Sequence, residues 1–370
     1  MDDQLHLTTL ERRLFEFARY KRTPISGSIE LLPLCNMNCD MCYVRLSAEE
    51  MNRQGRMRTA EEWLGAARQM RDAGTLFLLL TGGEPLIYPD FRRLYLALKD
   101  MGMILTINTN ATLIDEDWAA FFGSHKPRRV NVTLYGPDEE TYAGLCHYPG
   151  GFERTLRGVR LLREHGVDVR LGFSITKENA PHLARMHAIA DALQVPVNVD
   201  SYMLPATRER ERPFALQVRL LPEDAARVQE DAIRRKTRGY AEQARQRLAW
   251  MRQHAARPAA DACMTCMAGR CSFAVNWQGM LRPCVILNRP QADVFALGFA
   301  QAWAQVCGEV DAIRTSSACA ACPLRALCQT CAASALYETG ALNGKPEYLC
   351  RMTKETLRLL EEAAGSQMAE

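Results

Sequence analysis

The sequence lacks any apolar run that approaches the 18 or so residues of a membrane-spanning helix. It also lacks an apolar signal region at its N-terminus, where the acidic pair Asp2-Asp3 follows Met1. The formal net charge is only +3, which is too small to indicate a nucleic-acid partner. These absences predict a cytoplasmic protein with no membrane and no nucleic acid among its partners.

Cysteine, in contrast, is abundant, with 14 among 370 residues. In a secreted chain this number would indicate disulfides, but in a reducing cytosol it predicts thiolates bound to metal. A composition of 48% apolar and 24% charged residues is typical of a globular protein. The length suffices for one large domain and a smaller one.

Three of the thiols, Cys35, Cys39 and Cys42, lie in one short segment at CxxxCxxC spacing. We call residues 35–42 the Cys loop. A cubane iron–sulfur cluster normally takes four Cys thiolates, one per iron, so three leave one iron open to a substrate or cofactor. Zinc also favours clustered Cys, but it needs a fourth ligand, and the next Cys is Cys146. The pattern therefore favours an iron–sulfur cluster over zinc.

Short apolar segments alternate with helical ones from residue 25 to about residue 201. Strands are predicted near 28–32, 76–80, 103–108, 130–134, 169–175 and 197–200, and helices near 59–73, 90–101, 115–123, 138–145, 152–165 and 181–193. Six β-α units in a row predict an α/β fold, a parallel sheet curled into a partial (β/α)6 barrel of the TIM type. Ligands of such sheets bind at the carboxyl ends of the strands, so residues that follow a strand are site candidates.

The segment Gly82-Gly83-Glu84-Pro85, the GGEP turn, follows the second predicted strand. Its glycines let the backbone approach a ligand closely and its carboxylate can take an ammonium group, although most such turns are structural. A GGEP turn after a CxxxCxxC segment resembles the radical S-adenosylmethionine (SAM) superfamily. The resemblance implies that Cys35, Cys39 and Cys42 hold a 4Fe–4S cluster whose open iron chelates SAM. It also implies that the GGEP turn contacts the methionine part of SAM.

The resemblance points to further residues that would contact SAM. The superfamily usually has an aromatic residue just before the third Cys, where Met41 stands, and Tyr43 follows the Cys instead. Asn110 lies after the third strand, Thr133 ends the fourth and Ser174 ends the fifth. The alternative for these polar residues is that they satisfy local backbone groups at strand ends.

The predicted barrel spans residues 25–221, after a helical extension over residues 1–24. Residues 222–257 are predicted to link the barrel to the next domain through one long helical stretch that ends near His254. Its many arginines are expected to form a solvated face, and the alternative is a dock for an acidic peptide. A Cys-rich domain over residues 258–352 and a helix with a tail over residues 353–370 complete the chain.

Nine Cys fall between residues 263 and 331, and Cys350 follows. Eight thiolates make two groups of four, which fits two 4Fe–4S clusters or two zinc sites. Little apolar sequence separates these Cys, so ligand bonds are expected to supply much of this domain's folding energy.

From Cys266 to Cys350 the chain resembles the SPASM domain, the auxiliary-cluster extension of peptide-modifying radical SAM enzymes. The match includes Phe273 and the segment from Gly279 to Cys284. The resemblance implies one auxiliary cluster on Cys266, Cys271, Cys284 and Cys331 and a second on Cys319, Cys322, Cys328 and Cys350. Two residues rather than the usual three separate Cys328 from Cys331, so Cys263 is a rival ligand for the first cluster.

Together the resemblances imply a radical SAM/SPASM oxidoreductase-type peptide maturase with three 4Fe–4S clusters and SAM. Reductive cleavage of SAM, with flavodoxin or ferredoxin as reductant, would yield a 5′-deoxyadenosyl radical that abstracts hydrogen from a substrate C–H bond. The expected reaction is oxidative cross-linking or another modification of a ribosomally synthesised peptide (RiPP maturation). Residues 1–24 are too short for a leader-binding domain, so a separate leader-binding protein is an expected partner.

Other functions stay open. A peptide epimerase would need a hydrogen-donating thiol, and Cys146 is the candidate, although the default for Cys146, Cys263 and Cys307 is a small buried apolar residue. A sulfatase-type formylglycine maturase usually has an Asp where Val285 stands. Oxidation of a small molecule, such as a tetrapyrrole or an aminosugar, is a further alternative. A multi-cluster electron carrier would need neither the open iron nor the GGEP turn.

Overall fold

The computed structural model describes residues 8–204, 218–254, 264 and 266–365. The six predicted strands are confirmed as β1 Ser26–Glu30, β2 Phe77–Thr81, β3 Ile104–Thr109, β4 Arg129–Thr133, β5 Val169–Ser174 and β6 Val197–Asp200. They pair in parallel in chain order, with helices between them. These helices are α2 Ala48–Gln54, α3 Ala60–Asp72, α4 Phe91–Asp100, α5 Glu116–Ser124, α6 Glu139–Cys146, α7 Gly151–Glu164 and α8 Leu183–Ala192, after α1 Thr9–Lys21 at the start. The short helix α2, after the Cys loop, was not predicted.

The sheet is larger than the six strands that the sequence predicts. Three further strands extend it beyond β1, namely β7 Ser272–Val275, β8 Met280–Arg282 and β9 Ala292–Asp293. β7 runs parallel to β1, whereas β8 and β9 are antiparallel to their neighbours. Gly27 makes the contact between β1 and β7 close, because a Cβ there would lie 2.3 Å from the Phe273 ring. The C-terminal region is therefore joined to the barrel by a continuous hydrogen-bonded sheet.

The two faces of the barrel strands differ in polarity. In β3, Leu105 and Ile107 are buried in the apolar core, while Thr106 and Asn108 on the opposite face are half-buried. Strand register places Asn131 beside Asn108, and the two side chains share a 2.8 Å hydrogen bond. Since successive side chains of a strand point to opposite faces, the concave side of the sheet has a polar lining.

The long basic stretch is two helices rather than the single one predicted. α9 covers Pro222–Lys236 and α10 covers Tyr240–Gln253. Gly239 lies between them with φ 76°, a left-handed conformation that glycine adopts without a steric cost. Glu230 of α9 is almost fully buried and accepts hydrogen bonds from Arg247 and Tyr240 of α10. At least one of the arginines is thus paired inside the helical layer instead of lying on a solvated face.

The expectation of little apolar packing in the Cys-rich region is wrong. Its helices are α11 Val294–Leu297, α12 Phe299–Ala312, α13 Ser317–Ala320, α14 Ala332–Thr339 and α15 Glu347–Gly365. Phe299, Trp303 and Val306 of α12 belong to the same buried core as the barrel helices. The apolar residues lie in the long gap between Cys284 and Cys319, so burial stabilises this region as well as any ligand bonds. Among the described helices, none is long and apolar enough to cross a bilayer.

Candidate active site

The Cys loop leaves the carboxyl end of β1 and is held by backbone groups. Leu31 donates to the carbonyl of Thr81 at 2.9 Å, which continues the β1–β2 pairing toward the loop. Within the loop, Cys39 is buried, whereas Cys35 and Cys42 are half-buried. The N–H of Met37 lies 3.4 Å from the Cys35 Sγ and the N–H of Arg45 lies 3.2 Å from the Cys42 Sγ. Such bonds stabilise sulfur in its charged form.

The three thiols are near enough to affect one another's ionisation. Burial raises the pKa of Cys35 to about 12, and the charges of Glu84, Cys39 and Cys42 add to the rise. Holding Cys35 as a thiolate therefore requires a positive centre, and the all-sulfur set of three suits iron. In the described ranges, no three His, Cys, Asp or Glu side chains converge as ligands of a single metal ion. Cluster ligands lie farther apart than those of a single ion, because each thiolate binds a different iron.

The GGEP turn packs directly behind the Cys loop. The N–H of Gly83 donates to the Leu32 carbonyl at 2.8 Å, and the N–H of Glu84 donates to the Leu34 carbonyl at 2.9 Å. A Cβ on Gly83 would lie 2.2 Å from the Leu34 oxygen. The absence of a side chain and the hydrogen bond from its N–H therefore both allow the turn to pack closely against the segment that leads into the Cys loop. Contact of the turn with the methionine of SAM stays a prediction.

Glu84 points inward and is fully buried. Its carboxylate accepts hydrogen bonds from the Thr109 hydroxyl at 2.7 Å, the Asn110 N–H at 2.8 Å and the Leu86 N–H at 3.1 Å. Burial raises the pKa of Glu84 to about 7 in spite of these donors. The carboxylate thus ties the GGEP turn to the end of β3.

Asn110 completes this connection and reaches the Cys loop. Its amide Nδ2 donates to the Asn36 side chain at 2.8 Å, and it also lies 3.8 Å from the Cys35 Sγ. Thr112 bonds to both asparagines. The structure therefore brings Asn110, the GGEP turn and the Cys loop together at one rim, as their positions after parallel strands predict.

The other predicted SAM contacts lie around the same rim. Met41 and Tyr43 are half-buried in and just after the Cys loop, and Thr133 and Ser174 are half-buried at the ends of β4 and β5. Their roles in SAM binding stay predictions. Cys146 is fully buried at the end of α6 and lies beside the Cys loop, where its carbonyl accepts a hydrogen bond from the Asn38 N–H at 2.9 Å. The neighbouring Cys146 side chain lowers the pKa of Cys39.

Residues 29–186 match the Radical SAM superfamily. This part of the chain is a radical SAM domain. Such a domain binds a 4Fe–4S cluster and SAM, and the Cys loop has the thiols that fit the cluster.

Sequence relatives of the radical SAM domain differ in their named activities. The chain is 27% identical to the AdoMet-dependent heme synthase of Methanosarcina barkeri over 48% of this chain and 50% of the relative. It is 26% identical to the PqqA peptide cyclase of Granulibacter bethesdensis over 46% of this chain and 45% of the relative. The chain therefore spans about half the length of these curated relatives.

The fold is similar to solved structures over nearly the whole chain, beyond the radical SAM domain. Streptococcus suis SuiB bound to its precursor peptide SuiA matches with a TM-score of 0.66 at 18% identity, over 92% of this chain and 80% of SuiB. This likeness extends to the Cys-rich region and shows the fold alone.

Outside the radical SAM domain, eight of the nine described cysteines fall into two groups whose members affect one another's pKa, and Cys307 belongs to neither group. Burial raises the pKa of Cys266 and of Cys284, and the charge of Cys331 adds to both. Burial also raises the pKa of Cys271, with a contribution from Cys266. These four thiols are those that the SPASM resemblance assigns to the first auxiliary cluster. Cys263, the rival ligand, lies outside the described residues.

The cysteines of the second group also affect one another's pKa. Burial raises the pKa of Cys319, and the charges of Cys328 and Cys322 add to it. Burial raises the pKa of Cys350, with contributions from Cys328 and Cys319. The four thiols coincide with the predicted second set. Their roles as ligands of two auxiliary clusters stay predictions.

Asp200 is a site residue that the sequence reasoning missed. It ends β6 at the rim, in register beside Ser174 of β5. Although Asp200 keeps an exposed surface, desolvation by the surrounding protein raises the pKa of its carboxyl group to about 6, against a hydrogen bond from the Tyr202 N–H that lowers it. The sequence could have indicated Asp200, because it is the last residue of the sixth predicted strand and strand ends supply site residues in barrels.

Proposed function

We propose that this protein oxidatively modifies a ribosomally synthesised peptide, by forming a cross-link at an unactivated C–H bond. One observation carries the proposal: two groups of four thiols lie in a region joined to the radical SAM barrel by the β1–β7 pairing. The fold likeness to a protein with a bound precursor peptide, over 92% of the chain, supports a peptide substrate. The peptide cyclase among the sequence relatives agrees with it.

The cluster and SAM would supply the 5′-deoxyadenosyl radical. The chain's own residues would orient the substrate and accept the proton that it loses. Forming a cross-link removes one hydrogen atom, one electron and one proton from the substrate. The radical would take the hydrogen atom, an auxiliary cluster held by the C-terminal thiols would supply an electron acceptor, and a base of this chain would take the proton. Asp200 fits the role of proton acceptor, because a carboxyl group with a pKa of about 6 is mostly ionised at neutral pH and still basic enough to take a proton.

The electron route would use the C-terminal thiols. Four protein ligands on each auxiliary cluster would leave no iron open, which favours electron acceptance over substrate binding. The external reductant would be a flavodoxin or ferredoxin, and a separate leader-binding protein would present the peptide. These partners and a cytoplasmic setting belong to the proposal.

The test is an anaerobic reaction with reductant, SAM and any short peptide encoded beside this gene. We expect the peptide to lose the mass of two hydrogens, with one 5′-deoxyadenosine formed for each cross-link, measured by mass spectrometry. A chain with Cys35, Cys39 and Cys42 all changed to Ala is the control. Formation of 5′-deoxyadenosine without a change in the peptide would contradict a peptide cross-linking function, and deuterium uptake from heavy water alone would indicate an epimerase.

A second candidate is oxidation of a tetrapyrrole or another small molecule. The 27% identity to an AdoMet-dependent heme synthase supports it. The same assay with an iron–porphyrin precursor in place of the peptide separates the two, because only the true substrate will be consumed in step with SAM.

A further inference from the structure

The outer side of α1 carries the three most exposed large apolar side chains among the described residues. Leu10 is 76% exposed, Phe17 61% and Tyr20 80%. Their spacing of seven and three residues places them on one face of the helix. Single apolar side chains at a surface are ordinary, but a row of them on one face is typical of a surface that binds another protein.

This outer side of α1, which we call the α1 face, is also basic. It exposes one carboxylate, Glu16, and four cations, at Arg12, Arg13, Arg19 and Lys21. The Lys21 ammonium lies 5.6 Å from the centroid of the Tyr20 ring and 5.8 Å from that of the Phe17 ring, so charge and apolar surface are adjacent. Two copies of such a face would repel each other, so it favours a partner with acidic and apolar side chains over a second copy of this chain.

The inner side of α1 packs at the end of the barrel that is opposite the rim. Phe15 contacts Phe77, the first residue of β2, with ring centroids 5.5 Å apart, and Glu11 pairs with Arg128, just before β4, at 2.6 Å. A partner bound to the α1 face would therefore lie at the amino ends of the strands, away from the rim where the Cys loop and the GGEP turn meet. This position disfavours the peptide substrate as the occupant.

Cys271 lies behind the α1 face. Phe15 and Ala18, on the inner side of α1, form a small apolar cluster with Cys271 and Ile25. Cys271 is fully buried, and its carbonyl accepts a hydrogen bond from the Ser26 N–H at 3.2 Å. A helix is about 10 Å across, so this one layer separates the α1 face from a thiol that the SPASM resemblance assigns to the first auxiliary cluster.

We propose that the α1 face docks an acidic one-electron carrier protein, which takes up the electron that each cross-link leaves at the C-terminal thiols. The substrate gives up this electron in the proposed reaction, and an oxidised carrier must remove it before the next turnover. One electron passes to the carrier in this step, and no bond or proton changes place. The inference rests on the proposed function and adds to it the partner's chemistry and the place where it binds.

The test is the binding of oxidised flavodoxin, as an acidic carrier, to the anaerobic holoprotein, measured by isothermal titration calorimetry at low salt. We expect Arg13→Glu combined with Lys21→Glu to weaken the affinity about tenfold, because the reversed charges repel an acidic partner. Phe17→Ala should also weaken it, through lost apolar contact. Arg238→Glu combined with Arg252→Glu makes the same change in net charge at exposed positions of the α9–α10 region, and it should leave the affinity unchanged.

An equal loss of affinity in the two double variants, with iron content intact, would overturn the inference, because the attraction would then depend on net charge alone. Absence of binding by the unmodified protein would overturn it as well. Unchanged flavodoxin binding in Arg13→Glu/Lys21→Glu, together with loss of peptide modification, would assign the α1 face to a leader-binding protein instead.

Electron transfer provides a second measurement, which does not depend on the peptide. The holoprotein is reduced chemically and mixed with oxidised flavodoxin, and the flavin absorbance is followed in a stopped-flow instrument. Arg13→Glu/Lys21→Glu should slow flavodoxin reduction and leave the reduction of benzyl viologen, a small acceptor that needs no docking surface, unchanged. An unchanged rate with flavodoxin would contradict the inference. Flavodoxin binding at the α1 face in a protein that does not modify the peptide would contradict the proposed function and leave the docking surface standing.

Discussion

At the scale of a single residue, Gly83 of the GGEP turn has a structural role that is independent of any contact with a ligand. Its position next to the Leu34 carbonyl leaves no room for a Cβ, and Leu34 precedes the first thiol of the Cys loop. Its backbone N–H donates a hydrogen bond to the Leu32 carbonyl in the same segment. The glycine therefore sets the distance between β2 and the Cys loop, whatever the turn contacts on its other side.

We predict that Gly83→Ala will displace the Cys loop, because a rigid backbone oxygen 2.2 Å from the new Cβ cannot be avoided by a side-chain rotation. Iron content should fall by about one of three clusters, and SAM cleavage should fall at least tenfold. Gly65→Ala, in α3 with nothing near its Cβ position, is the control and should retain both. Full iron and activity in Gly83→Ala would show that the loop tolerates the shift.

Asp200 gives a prediction on pH at the same scale. Its pKa in the folded chain, about 6, lies above the ordinary value of 3.8. Between these values the folded state keeps a proton that the unfolded state has lost, so the free energy of unfolding falls as pH rises through this window. Asp200→Asn lacks this contribution, and its stability relative to the unmodified chain should increase from about pH 4 to pH 6. Parallel curves in urea unfolding would contradict the raised pKa.

At the scale of elements, α14 connects the rim of the barrel to the first auxiliary site. Cys331 caps its N-terminus, and Glu338 near its other end pairs with Arg219 in an almost fully buried ion pair. The Tyr202 hydroxyl, two residues after Asp200, also donates to Glu338 at 2.9 Å. Glu338 thus connects the helix that begins at the predicted auxiliary ligand Cys331 to the segment that follows Asp200 at the rim.

Glu338→Gln is therefore expected to destabilise the folded chain by about 3 kcal/mol, because it removes the carboxylate charge from an almost fully buried ion pair with Arg219. The measurement is the free energy of urea unfolding. Glu362→Gln removes an exposed partner of Arg358 on α15 and should change this value by less than about 1 kcal/mol. Equal effects of the two substitutions would show that the Arg219 pair is not buried in solution.

At the scale of the whole molecule, the Cys loop and Cys271 lie at opposite ends of the same strand, β1. The Cys loop follows β1, and β7, which follows Cys271, pairs with the same strand. A common apolar core includes residues of both the barrel and the C-terminal helices. Their folding is therefore coupled through β1, while their thiol groups are separate.

We predict that a chain with Cys35, Cys39 and Cys42 all changed to Ala will lose SAM cleavage and keep about two clusters' worth of iron. The reason is that the two C-terminal thiol groups share no ligand with the Cys loop, and burial in the common core supports their frame. Iron and sulfide assays after anaerobic reconstitution measure this. In a second variant, Cys331→Ala should lower iron by about one cluster, and unchanged iron would point to Cys263 or a non-protein ligand.

Much of the fold was predictable because its signals are local. The six parallel strands and most of their helices follow from apolar periodicity and capping residues such as Thr59. The two-residue strand β9 and the three-residue β8 carry too little pattern to be recognised, and the break at Gly239 was hidden by helical composition on both sides. The apolar face of α12 was overlooked because the cysteines dominated that region.

The sequence by itself determined the chemistry that the site can support, because the spacing of Cys35, Cys39 and Cys42 and the GGEP turn specify a type of cofactor wherever the chain places them. Tertiary structure alone decided which groups surround them. It turned the Glu84 carboxylate inward, set Cys146 beside the Cys loop and placed Asp200 next to Ser174 at the rim. The physical reason is that burial and hydrogen-bond partners arise from residues far apart in the chain, and these partners determine the charge state of each group.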